Sequence, residues 1–495
     1  MPASGAVKLT ARYSSVAPLS SSIDSTCSEI SCFREAPTPT HHFVVACVSR
    51  RRSRSFNKKL SVALGHCEEP NRRGQTFLLS TDRLPCWMAL VLLLSCVPWI
   101  AASAPRIETS YGPVEGFQHE LENGKTAHVF LGIPFARPPV GELRFKKPVK
   151  PKKWDAVLRA TEFSSSCFSH HRSFMTHGNF SEDCLTLNIM APSGLSPESN
   201  GYPVIVYIYW GAFQLGESSF YGYKNISENF VSQGIVFVTF NYRLSAFGFF
   251  STGDGVMSGN LGLWDQTAAL EFVFDVIADF GGDRKRITVM GASAGGKSVS
   301  ALMLSPHSNG LFQRAIAISG SALSPGVVSD RVVDVSKSLA EALDCGTSSE
   351  EIYVCLKEKK AEEILDGIET IGPAHNHLFS YKFHPRLDED FFPEDLPTLL
   401  RKAPKIELMT GVTELETGVR CMSNPMPPLT DYGIEKHGWM SYGAEDLRRF
   451  IEERTLMEGD PEELKNELIK FYVDRPRGDG KVLDWKDYLE RFAQP

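Results

Sequence analysis

The residues best suited to covalent chemistry form the run Gly291-Ala292-Ser293-Ala294-Gly295-Gly296, a G-x-S-x-G pattern. A serine hydroxyl is a poor nucleophile until a base takes its proton. On a sharp turn from a strand into a helix, its Oγ stands clear of the backbone and can reach such a base. Glycines flank it because side chains there would collide with the neighbouring strand and helix. Alone the pattern is weak, since many such turns do no chemistry. Its setting gives it weight: Ile287 to Met290 reads as a short strand and the stretch from about Gly295 to Leu304 as a helix. The chemistry served is acyl transfer, which also needs N–H donors aimed at a developing oxyanion. The N–H of Ala294 is one candidate. Others belong on a loop after an earlier strand, and Tyr209-Trp210-Gly211-Ala212-Phe213 follows the apolar run Pro203 to Tyr209. Gly211 and Ala212 are the candidates there, an ordinary turn being the alternative.

The elements that must position these residues alternate along the chain. Pro203 to Tyr209 and Ile235 to Asn241 are continuous apolar, β-branched and aromatic runs, the mark of strands buried on both faces. Leu263 to Phe280 has helical periodicity, with Leu270, Val273, Phe274 and Ile277 on one face, and ends at Gly281-Gly282-Asp283. Ala315 to Ser319 is a further buried strand. Ser329 to Ile371 reads as helices around Cys345 and Cys355, and Ala444 to Glu490 as charged amphipathic helices. Strands alternating with helices predict an α/β fold with a central, mostly parallel sheet flanked by helices.

Composition narrows the classes of function. The 495 residues hold 22% charged and 42% hydrophobic residues, an ordinary globular balance compatible with one large domain. Residues 1–104 carry 12 Lys/Arg against 6 Asp/Glu, which leaves 40 against 53 in the rest. That acidic remainder argues against nucleic-acid binding. The eleven cysteines show no paired short spacings of a zinc site, so no metal and no cofactor are expected. Cys167, Cys184, Cys345 and Cys355 lie in loops or at loop–helix junctions, which suits two local disulfides. Asn179 and Asn225 begin N-x-[ST] sequons, and both features fit an oxidising, secretory compartment.

The segment Ala89 to Ala104 is short and apolar and ends in small residues, which reads as a signal peptide cleaved near Ala104. Met88 stands immediately before it. Residues 1–87 show no sustained period and read as an unstructured extension, an artefact of gene prediction with Met88 as the true start. Were the extension real, 88–104 would be an uncleaved signal anchor with a basic cytoplasmic side, although it is short for a span. Residues 105–495 are expected to form the globular domain on either reading. The protein is expected to be secreted or extracellular, membrane anchoring being the alternative.

Five stretches carry a family resemblance in family order: GIPFARPPVGELRF (Gly132 to Phe145), SEDCLTLNI (Ser181 to Ile189), NYRLSAFGF (Asn241 to Phe249), GNLGLWDQTAAL (Gly259 to Leu270) and FGGDRKRITVMGASAGG (Phe280 to Gly296). Together they make the chain similar to the type-B carboxylesterases and cholinesterases of the α/β-hydrolase superfamily, a family that includes the non-enzymatic neuroligins. The likeness covers about Ile107 to Gly418, with a weaker tail.

The resemblance implies a Ser, Glu, His triad in that chain order. Ser293 is the nucleophile, and Gly411-Val412-Thr413-Glu414-Leu415-Glu416 matches the family's G-x-x-x-x-E, which puts the acid at Glu416 with Glu414 as fallback. That acid would hold the imidazole in its working tautomer. The family's histidine is expected on the order of a hundred residues further on, whereas the chain ends 79 residues after Glu416. His437, the histidine in between, stands in a stretch unlike the family's histidine loop, so the C-terminal part of the domain is expected to be missing. The resemblance also pairs Cys167 with Cys184 and Cys345 with Cys355, leaving Cys421 unpaired. Three departures stand out. Ala292 replaces the usual Glu, Trp210 replaces the first glycine of the oxyanion loop, and the loop between Cys167 and Cys184 contains no Trp. The last removes an aromatic platform for a quaternary ammonium, which argues against choline esters. The expected activity is hydrolysis of a small-molecule carboxylic ester through a serine acyl-enzyme. The alternatives are a catalytically silent, cholinesterase-like binding or adhesion protein, or a non-functional truncated product.

Overall fold

A computed structural model describes residues 104–169, 179–324, 326–372, 381–416, 434, 436–455 and 461–494. The chain divides into two units between Cys96 and Val97, and the first lies outside the described residues. So do the extension 1–87, the apolar segment up to Ser103, and Cys421.

A short sheet of β1 (Arg106–Thr109), β2 (Gly112–Glu115) and β5 (Leu158–Arg159) stands apart from the main one. The main sheet has eight strands: β3 (Phe117–Glu120), β4 (Thr126–Pro134), β6 (Thr186–Pro192), β7 (Tyr202–Ile208), β8 (Val236–Phe240), β9 (Gly282–Ala292), β10 (Arg314–Ile318) and β11 (Glu407–Gly411). Their order is β11-β10-β9-β7-β8-β6-β4-β3. From β8 to β11 the strands run parallel, and β6, β4 and β3 close the other side antiparallel. β8 is buried at all five positions, as its run of Val, Phe and Thr requires. At the opposite edge β11 is exposed at all five, with Leu408 and Met409 open to solvent.

The helices fill the crossovers. They are α1 (Gly222–Asn229), α2 (Ser245–Phe249), α3 (Leu261–Val276), α4 (Ala294–Leu304), α5 (Arg331–Ala342), α6 (Ser349–Glu358), α7 (Ala361–Thr370) and α8 (Leu396–Lys402). After them α9 (Ala444–Phe450), α10 (Glu462–Tyr472) and α11 (Trp485–Ala493) close a small core of their own on Leu447, Ile451, Ile469, Val473 and Phe492. Among the described residues no helix is long and apolar enough to cross a membrane. Disulfides join Cys167 to Cys184 and Cys345 to Cys355.

The expected α/β sheet is present, with two differences in detail. β9 begins at Gly282, five residues before the apolar signal at Ile287. Its first part, Asp283-Arg284-Lys285-Arg286, is polar, and the ladder to β7 shifts register between Tyr202 and Val204. Helix α3 presents a wider buried face than the predicted stripe, including Asp265 and Gln266. Gln266 Nε2 donates to Ser298 Oγ at 3.0 Å, which ties α3 to α4.

Asp265 anchors the loop after β8. Arg243 donates to it through Nε at 2.8 Å, Nη2 at 2.7 Å and its own backbone N–H at 3.0 Å, and both side chains are buried. Gly248 and Gly262 let the chain close on Arg243, since a Cβ at either would lie within 2.6 Å of its carbonyl oxygen. Removing the carboxylate strands a buried cation, which costs about 3–5 kcal/mol. Asp265→Ala is therefore expected to lower the urea-unfolding free energy by about that amount. A loss below about 1 kcal/mol would show that the pair is not what holds this loop.

Candidate active site

Ser293 sits where β9 becomes α4, with φ 53° and ψ −117°. A non-glycine residue pays about 1–3 kcal/mol for such backbone and keeps it only where its surroundings leave no alternative. Its N–H donates to Ile318 O on β10 at 2.8 Å, and its carbonyl accepts from Lys297 N–H at 2.9 Å. The neighbouring glycines carry the close approaches. A Cβ at Gly291 would lie 2.4 Å from the Gly295 carbonyl, one at Gly295 2.1 Å from Ile208 O, and one at Gly320 2.2 Å from Ser293 O. The serine side chain is partly exposed, while Ala294 is wholly buried. As first residue of α4, Ala294 has no acceptor for its N–H inside its own helix.

The loop after β7 lies beside this turn, because Ile208 pairs with Gly291 in the ladder. Gly211 has φ 130°, and a Cβ there would lie 1.9 Å from Leu215 O, so no other residue fits. Ala212 and Phe213 follow with φ 58° and 62°. The Gly211 carbonyl accepts from the N–H groups of Gln214 at 2.9 Å and Leu215 at 3.0 Å. Because carbonyl and N–H point opposite ways across one peptide plane, this turns the N–H of Ala212 out of the tight turn. Among the described residues no backbone carbonyl accepts from the N–H of Gly211 or Ala212. Trp210, half-buried, packs edge-on against Phe220 at 5.3 Å between ring centres.

Glu416 lies in the turn after β11. Ile318 at the end of β10 pairs with both Ala292 and Gly411, so the carboxylate is carried on a strand two places from β9, about 10 Å across the sheet. Glu416 Oε1 accepts from the N–H of Thr413 at 2.6 Å, which closes that turn. Glu414 is exposed. His437 is exposed in a short helical turn, Lys436–Ser441, that packs against α11. Ser293, Ala294, Gly211 and Ala212 are thus brought to neighbouring strand ends, Glu416 to the same end of the sheet further along, and His437 to the C-terminal helices. Asn179 and Asn225 are both exposed, and most of the loop between Cys167 and Cys184, residues 170–178, lies outside the described residues.

Sequence reasoning passed over three buried residues on or near the elements that carry this turn. Lys297, one turn along α4 and buried, donates from Nζ to Tyr381 Oη at 3.1 Å and lies 4.3 Å from the centre of the Tyr381 ring. Burial pushes the His384 imidazole down to about 4, and its Nδ1–H donates to Pro385 O at 2.9 Å, so at neutral pH it is an uncharged core histidine. Gln214 is buried against Phe383. The partners of Lys297 and Gln214 lie 84 and 169 residues away in sequence, and nothing in local periodicity marks any of the three. Among the described residues no group of His, Cys, Asp and Glu is placed to hold a metal ion.

The contact of Gly295 with Ile208 O sets how near α4 comes to β7. Gly295→Ala must push them apart, an overpacking that costs about 1–3 kcal/mol. Its urea midpoint is expected to fall accordingly, whereas Gly255→Ala, with nothing within 4 Å, serves as the neutral control. Equal midpoints for the two variants would contradict the close approach.

A sequence model of the carboxylesterase family matches residues 103–491. The chain is 34% identical over 416 residues to gut esterase 1 of Caenorhabditis elegans, covering 82% of this chain and 70% of that protein. It is 37% identical over 412 residues to the pyrethroid hydrolase Ces2a of Mus musculus, 79% of this chain and 67% of that one. With carboxylesterase 1F of Mus musculus the identity is 40% over 292 residues, 56% of this chain and 51% of the relative. The chain therefore spans about half to seven-tenths of the length of these relatives. With an α/β-hydrolase sheet and a match over most of its length, the chain belongs to the carboxylesterase family, a family of carboxylic ester hydrolases.

Proposed function

We propose that this protein hydrolyses small-molecule carboxylic esters through an acyl-enzyme on Ser293. The observation that carries the reading is the left-handed Ser293 at the β9–α4 turn, standing beside a loop whose N–H groups at Gly211 and Ala212 meet no backbone acceptor among the described residues. In the reaction Ser293 Oγ attacks the ester carbonyl as its proton passes to an imidazole. The carbonyl oxygen becomes an oxyanion and accepts from the N–H groups of Gly211, Ala212 and Ala294. The start of α4 adds the positive end of its dipole at the same place. Collapse expels the alcohol, which takes up the proton, and water then attacks the acyl-serine to release the acid. Glu416 orients that imidazole, in the Ser, Glu, His order that the family resemblance implies. The relatives, an esterase, a pyrethroid hydrolase and a carboxylesterase, support an ester of a carboxylic acid as the substrate class.

Compartment belongs to the same reading. Two paired disulfides and two exposed sequon asparagines support passage through the secretory route. The test is hydrolysis of p-nitrophenyl acetate and butyrate by protein expressed through that route, with and without enzymatic removal of N-glycans. Ser293→Ala is expected to lose about a thousandfold or more in kcat with the fold intact. Removal of glycans is expected to increase gel mobility while the wild type keeps its turnover. Equal turnover by Ser293→Ala and wild type would overturn the serine mechanism, and unaltered mobility would overturn the glycosylated, secreted assignment.

A further inference from the structure

The oxyanion loop holds two successive non-glycine residues, Ala212 and Phe213, in left-handed backbone. Each disfavours that conformation by about 1–2 kcal/mol, so the loop needs outside support. Three consecutive carbonyls supply it. Gly211 O accepts from two backbone N–H groups of its own turn, and Phe213 O accepts from Ser245 N–H at 2.8 Å. The middle carbonyl, Ala212 O, is held by a side chain: Gln214 Nε2 donates to it at 3.1 Å. The same amide donates to Phe383 O. Both partners are carbonyl oxygens and can only accept, so the amide nitrogen rather than its oxygen must face them. Gln214 is wholly buried, and water cannot replace it from outside.

The segment it grips is tied to the nucleophile helix as well. Two residues before Phe383, Tyr381 takes the Nζ–H of Lys297 on α4. Gln214 thus joins the oxyanion loop to a segment that also bears on the helix beginning at Ala294.

We infer that Gln214 is a positioning residue: by donating to the Ala212 carbonyl from an amide that is itself anchored on Phe383 O, it fixes the turn that aims the Gly211 and Ala212 N–H groups at the transition state. The inference rests on the hydrolase reading above. Without the amide the Ala212–Phe213 peptide can flip, Phe213 can leave its left-handed conformation, and the donors lose their aim. Donors matter more to the oxyanion than to the neutral ester, so the loss falls on kcat.

The test compares wild type with Gln214→Met, which keeps the length and removes the donor, and Gln214→Glu, which puts a carboxylate against two carbonyl oxygens. With p-nitrophenyl butyrate, Gln214→Met is expected to lose about 10- to 100-fold in kcat while KM changes by less than about threefold. Gln214→Glu is expected to lose at least as much at pH 8 and to regain part of it, relative to wild type, as the pH falls and a protonated carboxyl again donates. Hydrogen exchange of the Gln214 and Leu215 amides, which donate to Gly211 O, is expected to quicken at least tenfold in both variants. An unchanged kcat in a folded Gln214→Met overturns the positioning role, as does a loss confined to KM. Unchanged exchange at 214 and 215 overturns the clamp itself. A wild type without turnover dependent on Ser293 sinks the hydrolase reading separately, and the exchange measurement still decides whether Gln214 holds the loop.

Discussion

Backbone contact between the start of α4 and the end of β7 governs the geometry of the site. Gly295 lies so close to the Ile208 carbonyl that no side chain can stand between them, and Gly291 lies nearly as close to Gly295. With helix and strands at that distance, the peptide joining them has little room, and Ser293 takes up the strain in its left-handed φ. Its N–H is then spent on Ile318 O, and its side chain is left partly exposed above the sheet. The same contact puts the loop after β7 beside the serine, so one steric constraint places the nucleophile and two of its candidate oxyanion donors together.

The sheet supplies the crevice. In the order β8-β7-β9-β10, the chain leaves β7 toward one side and returns to lay β9 on the other, so the connections diverge at the carboxyl ends of β7 and β9. Such switch points are where open α/β sheets leave room for a ligand. Gly211, Ala212 and Ser293 all follow those two strand ends, and Glu416 follows β11 at the same end of the sheet. The Arg243–Asp265 pair and the Gln266–Ser298 bond hold α3 against the loop after β8 and against α4. The wall of the site is therefore fixed to the core by buried polar bonds as well as by apolar packing.

What could be read from the sequence was whatever had a local cause. The apolar runs that became β7 and β8, the glycines around Ser293 and the helix after it each announce themselves within a few residues. The start of β9 did not, because Asp283 to Arg286 are polar and fall in the irregularity where the ladder to β7 jumps from Gly282 to Ile287. Pairing Cys167 with Cys184 and Cys345 with Cys355, and choosing Glu416 over Glu414, came from family resemblance, since spacing alone left both open. Gln214, Lys297 and His384 were illegible for a different reason: what makes them matter is a contact with, or burial against, residues brought near only by the fold, such as Phe383 from Gln214, 169 positions along the chain.

The central claim is that Ser293 is an activated nucleophile, and it is tested most directly by covalent capture. The protein would be treated with a fluorophosphonate probe, digested and examined by mass spectrometry for the modified peptide. The account predicts a single adduct, on Ser293, that is absent after heat denaturation. A folded protein that leaves Ser293 unmodified, or that carries the adduct on another serine, would contradict it.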